Sequence, residues 1–344
     1  PLTVALLLAC APVLGRDTLK PDSLPPPDTT PALVTWVGDI LLDMSVGRAA
    51  TAHGIDWLFD GVREVISADD LSVGNLECAA AYSGRAAKKE YTFRADPRLL
   101  PGLKANGIDA VSVANNHSLD FGRDALNETL ERLQEAGLLH AGAGPNLESA
   151  LAPISVRLQQ ESLAIICASR VAPAGWAATS RSSGIAAVWD QADLLAAIIA
   201  AKQQAGIVAV FLHWGIEKKS TPEESQRRLA RRCIDAGATL VIGTHPHVVQ
   251  GLELYRDGLI AYSLGNFIFT NRDNRPALIL QTGLRNGRLV SARVIPCRIG
   301  ELRPKVVLDE ADRRQLLAQL RLLSSNLNIG PDGSIALPAS GSPD

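Results

Sequence analysis

The chain has 344 residues, of which 47% are apolar and 20% charged, a balance that fits a folded globular body and excludes wholesale disorder. With 34 Lys and Arg against 36 Asp and Glu the formal net charge is −2, so there is no global basic field to hold a nucleic-acid backbone. Five cysteines, at positions 10, 78, 167, 233 and 297, form no CxxC pair, which argues against both a disulfide framework and a cysteine zinc site.

The chain opens PLTVALLLACAPVLG, without Met or a basic leading region. This apolar run is too short to span a bilayer and reads as the last part of a secretory signal within residues 1–10. Leu7-Leu8-Ala9-Cys10 is similar to a bacterial lipobox, which would make Cys10 the lipidated first residue of the mature protein. The plainer alternative is a secretory signal cut a few residues later. Within residues 11–31, the stretch 16–31 holds five prolines, at 21, 25, 26, 27 and 31, and predicts an extended tether between a membrane anchor and a folded head. An extracytoplasmic, membrane-anchored protein is expected on these grounds.

The body, residues 32–300, alternates short apolar runs with helical patterns. ALVTWVG is a strand, IDWLFDGVREVIS a helix, DLSVGN a strand, and LLPGLKANG a helix ending at Gly107. IDAVSVAN is the next strand, followed by the helix RDALNETLERLQEAG with Gly137 at its C-terminal cap. LAIICAS, a helix around DLLAAIIAAKQQAG, GIVAVFLHWG, a helix around EESQRRLARRCIDAG, and ATLVIGTH continue the rhythm. Such alternation implies βαβ units and a largely parallel sheet buried on both faces. LIAYSLGNFIF, PALILQTGL and RLVSARVIP then follow one another without helices, and Asn286-Gly287 predicts a tight hairpin between the last two. Residues 301–344 carry a last amphipathic helix and a Gly-, Pro- and Ser-rich tail expected to fray from Ile329 onward.

The polar residues at strand ends are the informative feature, because ligands of open α/β folds gather at the carboxyl ends of strands. Asp39 follows LVTWVG, Glu77 follows LSVGN, Asn116 and His117 follow AVSVAN, His213 follows VAVFL, and His245 and His247 follow LVIGT. Singly, each has an ordinary explanation as a cap, a turn residue or a satisfied half-buried histidine. Together they form a mixed nitrogen and oxygen donor set that suits Zn, Mn or Fe and can polarise a bound water. His245 and His247, two residues apart, share a side only if the backbone there is extended. His53 and His140 fall elsewhere and read as surface or packing residues.

These residues sit in six ordered motifs: Gly38-Asp39-Ile40; Gly74-Asn75-Leu76-Glu77; Ala114-Asn115-Asn116-His117 running on to Asp120 and Gly122; His213-Trp214-Gly215-Ile216-Glu217; Gly243-Thr244-His245-Pro246-His247; and Tyr262 through Gly265-Asn266-Phe267. The pattern resembles the CapA-type capsule synthesis family, linked to poly-γ-glutamate capsule production and export in bacteria, over roughly residues 32–275. That family is in turn similar to the calcineurin-like metallophosphoesterases. The resemblance implies an α/β fold with a β-sandwich core flanked by helices in four layers (αββα), holding one or two divalent metal ions. It implies metal ligation by Asp39, Glu77, Asn116, His213, His245 and His247, with His117 as the catalytic residue that supports the substrate or leaving group. Two positions depart from the usual pattern. Leu41 stands where the first motif ordinarily has His, so one site lacks an imidazole, and Glu77 lengthens by a methylene a bridge that is usually Asp. Asp43 is the neighbour that could compensate.

Two functions follow as expectations. One is a capsule synthesis or export component, whose metal is structural or binds an anionic polymer, working with capsule synthesis membrane proteins. The other is an extracytoplasmic metal-dependent hydrolase acting on a phosphoester or an amide-like bond, not tied to capsule. Glu217 and Arg94, with Lys88 and Lys89, are the residues expected to meet the substrate.

Overall fold

Strands with apolar side chains on both faces need cover on both faces, and here that need is met by stacking two sheets back to back. The computed structural model describes residues 30–324 and 326–338; the signal-like run, Cys10 and most of the proline-rich stretch lie outside them. The first sheet runs β18 (Arg303–Val306), β17 (Arg288–Gly300), β16 (Arg275–Arg285), β1 (Ala32–Ile40), β2 (Leu71–Leu76), β5 (Ala110–Ser112) and β6 (Leu139–Ala141), with β15 (Asn266–Ile268) paired to the end of β1. Its β1–β2–β5–β6 half is parallel and its β1–β16–β17–β18 half antiparallel. The second sheet runs β13 (Leu252–Tyr255), β14 (Gly258–Ala261), β12 (Leu240–Thr244), β11 (Ile207–His213), β9 (Glu161–Ser169) and β8 (Ile154–Leu158). Its four central strands are parallel and its two edges antiparallel. Two short pairs, β3 (Ala79–Ala80) with β4 (Arg94–Ala95) and β7 (Ala143–Gly144) with β10 (Gly184–Ile185), sit outside these sheets.

Three apolar clusters correspond to the three interfaces of a four-layer αββα sandwich. Between the sheets lie Val34, Trp36 and Val73 from one side and Ile165, Phe211 and Ile242 from the other. On the outer face of the first sheet, Val37, Ile40 and Val111 meet α1 (Met44–His53), α2 (Arg63–Ile66), α3 (Leu100–Ala105) and α4 (Gly122–Glu135). On the outer face of the second, Ile166, Val210 and Val241 meet α5 (Leu147–Leu151), α6 (Ala192–Lys202) and α7 (Glu224–Asp235). The period of two is visible within β11, where Ile207, Ala209 and Phe211 turn inward and Val208, Val210 and Leu212 outward. The parallel sheet expected from the alternation is therefore two sheets, each with helices on one face only, as the family resemblance implies. The last helix, α8 (Glu310–Leu323), inserts Leu317 and Leu320 into the core between the sheets.

Two local expectations are corrected. Residues 55–67 form a 3₁₀ turn at Ile55–Phe59 and the single turn α2, not one helix. The break falls at Gly61, which lies against β18: a Cβ there would come within 2.7 Å of the Pro304 carbonyl. The stretch after Ile329 does not fray within the described residues. Ile329 pairs with Ile335 and Ser334 with Arg293, and both isoleucines are buried. The hairpin at Asn286-Gly287 forms as expected, with both residues at positive φ. Cys78, Cys167, Cys233 and Cys297 are free and buried, and burial pushes each thiol up to about 12.

One close approach sets the position of Asp39. A Cβ on Gly38 would lie 1.8 Å from the Gly265 carbonyl oxygen, and that same oxygen accepts a hydrogen bond from the Asp39 N–H at 3.1 Å. Only glycine lets β1 and β15 meet this closely. Gly38→Ala should destabilise the protein by about 1–3 kcal/mol through this overlap, read from the midpoint of urea unfolding; an unchanged midpoint would show that β15 yields at little cost.

Candidate metal centre

The ends of β1 and β2 in one sheet and of β11 and β12 in the other bring their polar residues to one place, with Asn116 and His117 arriving just after β5. Asp39, Glu77 and His213 are fully buried, and His245 nearly so. Two overlapping donor groups form around Glu77. In one, Glu77, His213 and His245 present ligand atoms within 4.8 Å of one another; in the other, Asp39, Glu77 and His247 do the same. Asn116 adjoins the first, its Oδ1 lying 2.7 Å from His213 Nε2. Among the ligating residues expected from the sequence, all six are thus brought together.

The hydrogen bonds around the donors divide them. Asp39 accepts from Asn75 Nδ2 at 2.8 Å and from the His245 N–H at 3.2 Å. His247 Nδ1 lies 2.7 Å from Asn266 Oδ1, which orients the ring. Both carboxylate oxygens of Glu77, by contrast, have no hydrogen-bond partner. Their imidazole neighbours stand at 3.5 Å (His213 Nε2) and 3.7 Å (His247 Nε2), too far for direct bonds. A fully buried carboxylate with nothing to satisfy it, ringed by imidazole nitrogens and a second carboxylate, is the arrangement a divalent cation completes. The residues fit such an ion.

The same crowding displaces the protonation equilibria. Burial, then the nearby Asp39, raises Glu77 well above the ordinary carboxylate range. Burial and the neighbouring imidazoles push His213 well down and His245 to about 4. At His247 burial also acts downward, but Glu77 and Asp39 together outweigh it and hold the imidazole up to about 10.

His245 and His247 reach the site by a route other than the extended backbone considered from their spacing. Both take left-handed conformations, at φ 96° and 57°, on either side of Pro246. The turn, not a strand, aims the two rings.

Beside the donors stands a second unit. His117 Nδ1 lies 2.6 Å from Asp120 Oδ2, and the other Asp120 oxygen takes a salt bridge from Lys89 Nζ at 2.6 Å. Phe93 stacks on the His117 ring at 4.2 Å between centroids, and its N–H donates to Asp120. His117 joins none of the donor groups; burial lowers its pKa, with Asp120 acting in the opposite direction. Lys89, expected to meet substrate, is instead committed to Asp120 and to the Asn116 carbonyl. Lys88 is exposed. Arg94 is exposed with its guanidinium over the Phe121 ring, 4.2 Å from the centroid. Glu217 is exposed, with a carboxylate oxygen grouped with the His245 and His247 nitrogens. Asp43 does not compensate for Leu41: its oxygens cap Met44 and accept from the Arg94 N–H. Leu41 itself is packed into the helix-side core. His53 packs on Trp57 and His140 is half-buried, both away from the donor groups.

Sequence reasoning assigned no role to Asn75, Asn115, Asp120 or Asn266. Asn75 touches Asp39, His213 and Asn115, and Asn115 in turn accepts from the His117 N–H at 3.0 Å. Their signal was adjacency: each lies within a motif that carries a ligand.

Residues 33–271 match the sequence model of the family described as bacterial capsule synthesis protein PGA_cap. The chain is 30% identical over 297 residues to the PGA biosynthesis protein CapA of Bacillus subtilis (strain 168), covering 85% of this chain and 78% of that protein. It is 29% identical over 330 residues to the capsule biosynthesis protein CapA of Bacillus anthracis, covering 93% and 80% respectively. Among solved structures, that of the sulfate thiohydrolase SoxB from Thermus thermophilus is similar over 88% of this chain and 61% of that one, at 13% identity and a TM-score of 0.45.

With His247 held up to about 10 in the metal-free protein, an ion that takes His247 as a ligand near neutral pH must expel its proton. Calorimetric titration with Mn²⁺ at pH 7 in buffers of different ionisation enthalpy should show release of about one proton or more, with affinity rising as pH is raised from 6 to 9. Binding without proton release would show that His247 stays outside the coordination.

Proposed function

Because the chain belongs to the bacterial capsule synthesis family PGA_cap, we propose that it acts outside the cytoplasm in making or exporting an anionic capsular polymer of the poly-γ-glutamate type, using a divalent metal held at the strand ends. The observation that carries the metal is Glu77, buried and unsatisfied among His213, His245, His247 and Asp39. The mixed imidazole and carboxylate set suits Mn, Zn or Fe, in one or two sites. Such an ion would supply Lewis acidity toward a carbonyl, carboxylate or phosphoryl oxygen and toward water. The polymer's carboxylates are the anionic groups it would meet, and capsule synthesis membrane proteins are the partners this reading calls for.

A second reading, cleavage of a phosphoester or amide-like bond, is favoured by one specific feature. His117, fixed at Nδ1 by Asp120, can take or give a proton at Nε2 beside the ligand residue Asn116. Asp120 and Lys89 lock the ring's orientation, and Phe93 shields one face from water.

The two readings separate by mutation. If the protein cleaves a bond, His117→Ala should retain its metal and lose turnover by about 10²–10⁴-fold, the usual contribution of a general acid or base. His213→Ala should lose metal and turnover together. Elemental analysis and assays on γ-glutamyl polymers and phosphoesters measure both. Equal metal loss in the two variants would reassign His117 as a ligand, and capsule output that survives His117→Ala but fails with His213→Ala would select the non-hydrolytic role.

The location we propose, at the envelope through lipid on Cys10, draws on the apolar run, Leu7-Leu8-Ala9-Cys10 and the prolines that follow. Mass spectrometry of the mature N-terminus is the measurement. A diacylated Cys10 is expected, and an unmodified chain continuing upstream of it in cytosolic extract would sink the proposal.

A further inference from the structure

The two donor groups are unequal. One has four protein donors, Glu77, His213, His245 and the adjoining Asn116, and the other has three, Asp39, Glu77 and His247. The position two residues after Asp39 offers nothing, since Leu41 is buried in the helix-side core, and Asp43 is engaged with two backbone N–H groups. We propose that Glu217 is a further metal ligand, whose carboxylate completes the three-donor group. This rests on the metal centre proposed above.

An exposed loop glutamate is ordinarily just solvated. Glu217 differs in three respects. Its carboxylate already lies with the His245 and His247 nitrogens, all within 4.8 Å. The loop that carries it is tied to the histidine turn at both ends: the Trp214 N–H donates to the Thr244 carbonyl at 3.1 Å, and the Lys218 N–H to the Pro246 carbonyl at 2.7 Å. Left-handed backbone occurs on both of these facing segments, at Gly215 and Lys218 on one and at His245 and His247 on the other. Three of those four are not glycine, so the conformations cost energy and persist because the surroundings impose them. What the imposed geometry achieves is to bring a carboxylate against two imidazoles from the solvent side. The independent sign that a cation belongs there is Glu77, whose two oxygens are buried and unpartnered.

The alternative role, direct binding of polymer carboxylates, fails on charge: one carboxylate repels another unless a cation stands between them. With Asp39, Glu77 and Glu217 the centre holds three carboxylates, and replacing an imidazole by a carboxylate shifts preference toward a harder ion. Mn²⁺ is the ion to test.

Mn²⁺ titration of the full chain by calorimetry, with electron paramagnetic resonance to report coupling between two ions, compares wild type with Glu217→Gln and Glu217→Asp. The wild type should bind two equivalents and show a coupled signal. Glu217→Gln should keep one equivalent at wild-type affinity, weaken the second at least about tenfold, and lose the coupled signal, with Glu217→Asp restoring part of it. The metal-free melting temperature of Glu217→Gln should equal that of wild type, since the side chain is exposed. Two equivalents at wild-type affinity in Glu217→Gln would overturn the ligand assignment while leaving the metal centre standing. A wild type that binds no Mn²⁺, Zn²⁺ or Fe²⁺ would overturn the metal centre itself, and this proposal with it.

Discussion

Two carboxylates of the donor groups, Asp39 and Glu77, lie fully buried, and the rest of the site is arranged around the cost of keeping them there. An isolated ionised carboxylate in a protein interior is strongly unfavourable unless it is paired and hydrogen-bonded. Asp39 has that provision in Asn75 and the His245 N–H, with His247 at 3.4 Å. Glu77 has only the proximity of imidazoles. The strand ends of both sheets deliver those imidazoles, so the sandwich is the device that holds four chain segments, far apart in sequence, against one charge. The backbone contact of Gly38 with Gly265 belongs to the same requirement, because it fixes where β1 ends and therefore where Asp39 stands.

The site separates into a metal-competent group and a proton-handling pair, and the separation has a structural basis. Asp120 serves His117 and Lys89 but makes no contact with the donor groups, while Asn115 joins the two by accepting from the His117 N–H and donating to Asn75. A basic residue spent on neutralising Asp120 is not free for an anionic substrate. This is why Lys89, which in the sequence looks like part of a polymer-binding cluster with Lys88 and Arg94, has a positioning role in the fold.

The cluster of possible donors was legible in the sequence because single polar residues at the ends of apolar runs stand out: Asp39, Glu77, His213 and His245 each follow a stretch of buried aliphatics. The number of sheets was not legible from those runs alone. In β9 and β11 successive residues are equally apolar, and nothing in Ile207–Leu212 says which face a helix covers and which a second sheet covers; the family resemblance supplied that. The turn at His245-Pro246-His247 was not legible, because two-residue spacing has a simple meaning only in extended chain and left-handed histidines leave no compositional mark. The network residues Asn75 and Asn115 were visible only as neighbours of ligands, since amides at strand ends usually serve turns.

The pairing of residues 333–335 with β17 has a consequence for how the chain reaches its fold. β18 covers only the far end of β17, from Cys297 to Gly300, and the nearer part is met by the tail, where the Val294 N–H donates to the Gly333 carbonyl and the Ile335 N–H to the Ala292 carbonyl. Until that tail is synthesised, a length of open strand edge remains in the sheet that holds Asp39, able to template pairing with another chain. Leu33 likewise waits for Gly283. The sheet that holds Asp39 is therefore completed only through pairings between distant parts of the sequence, and its closure is a late, non-local step of folding.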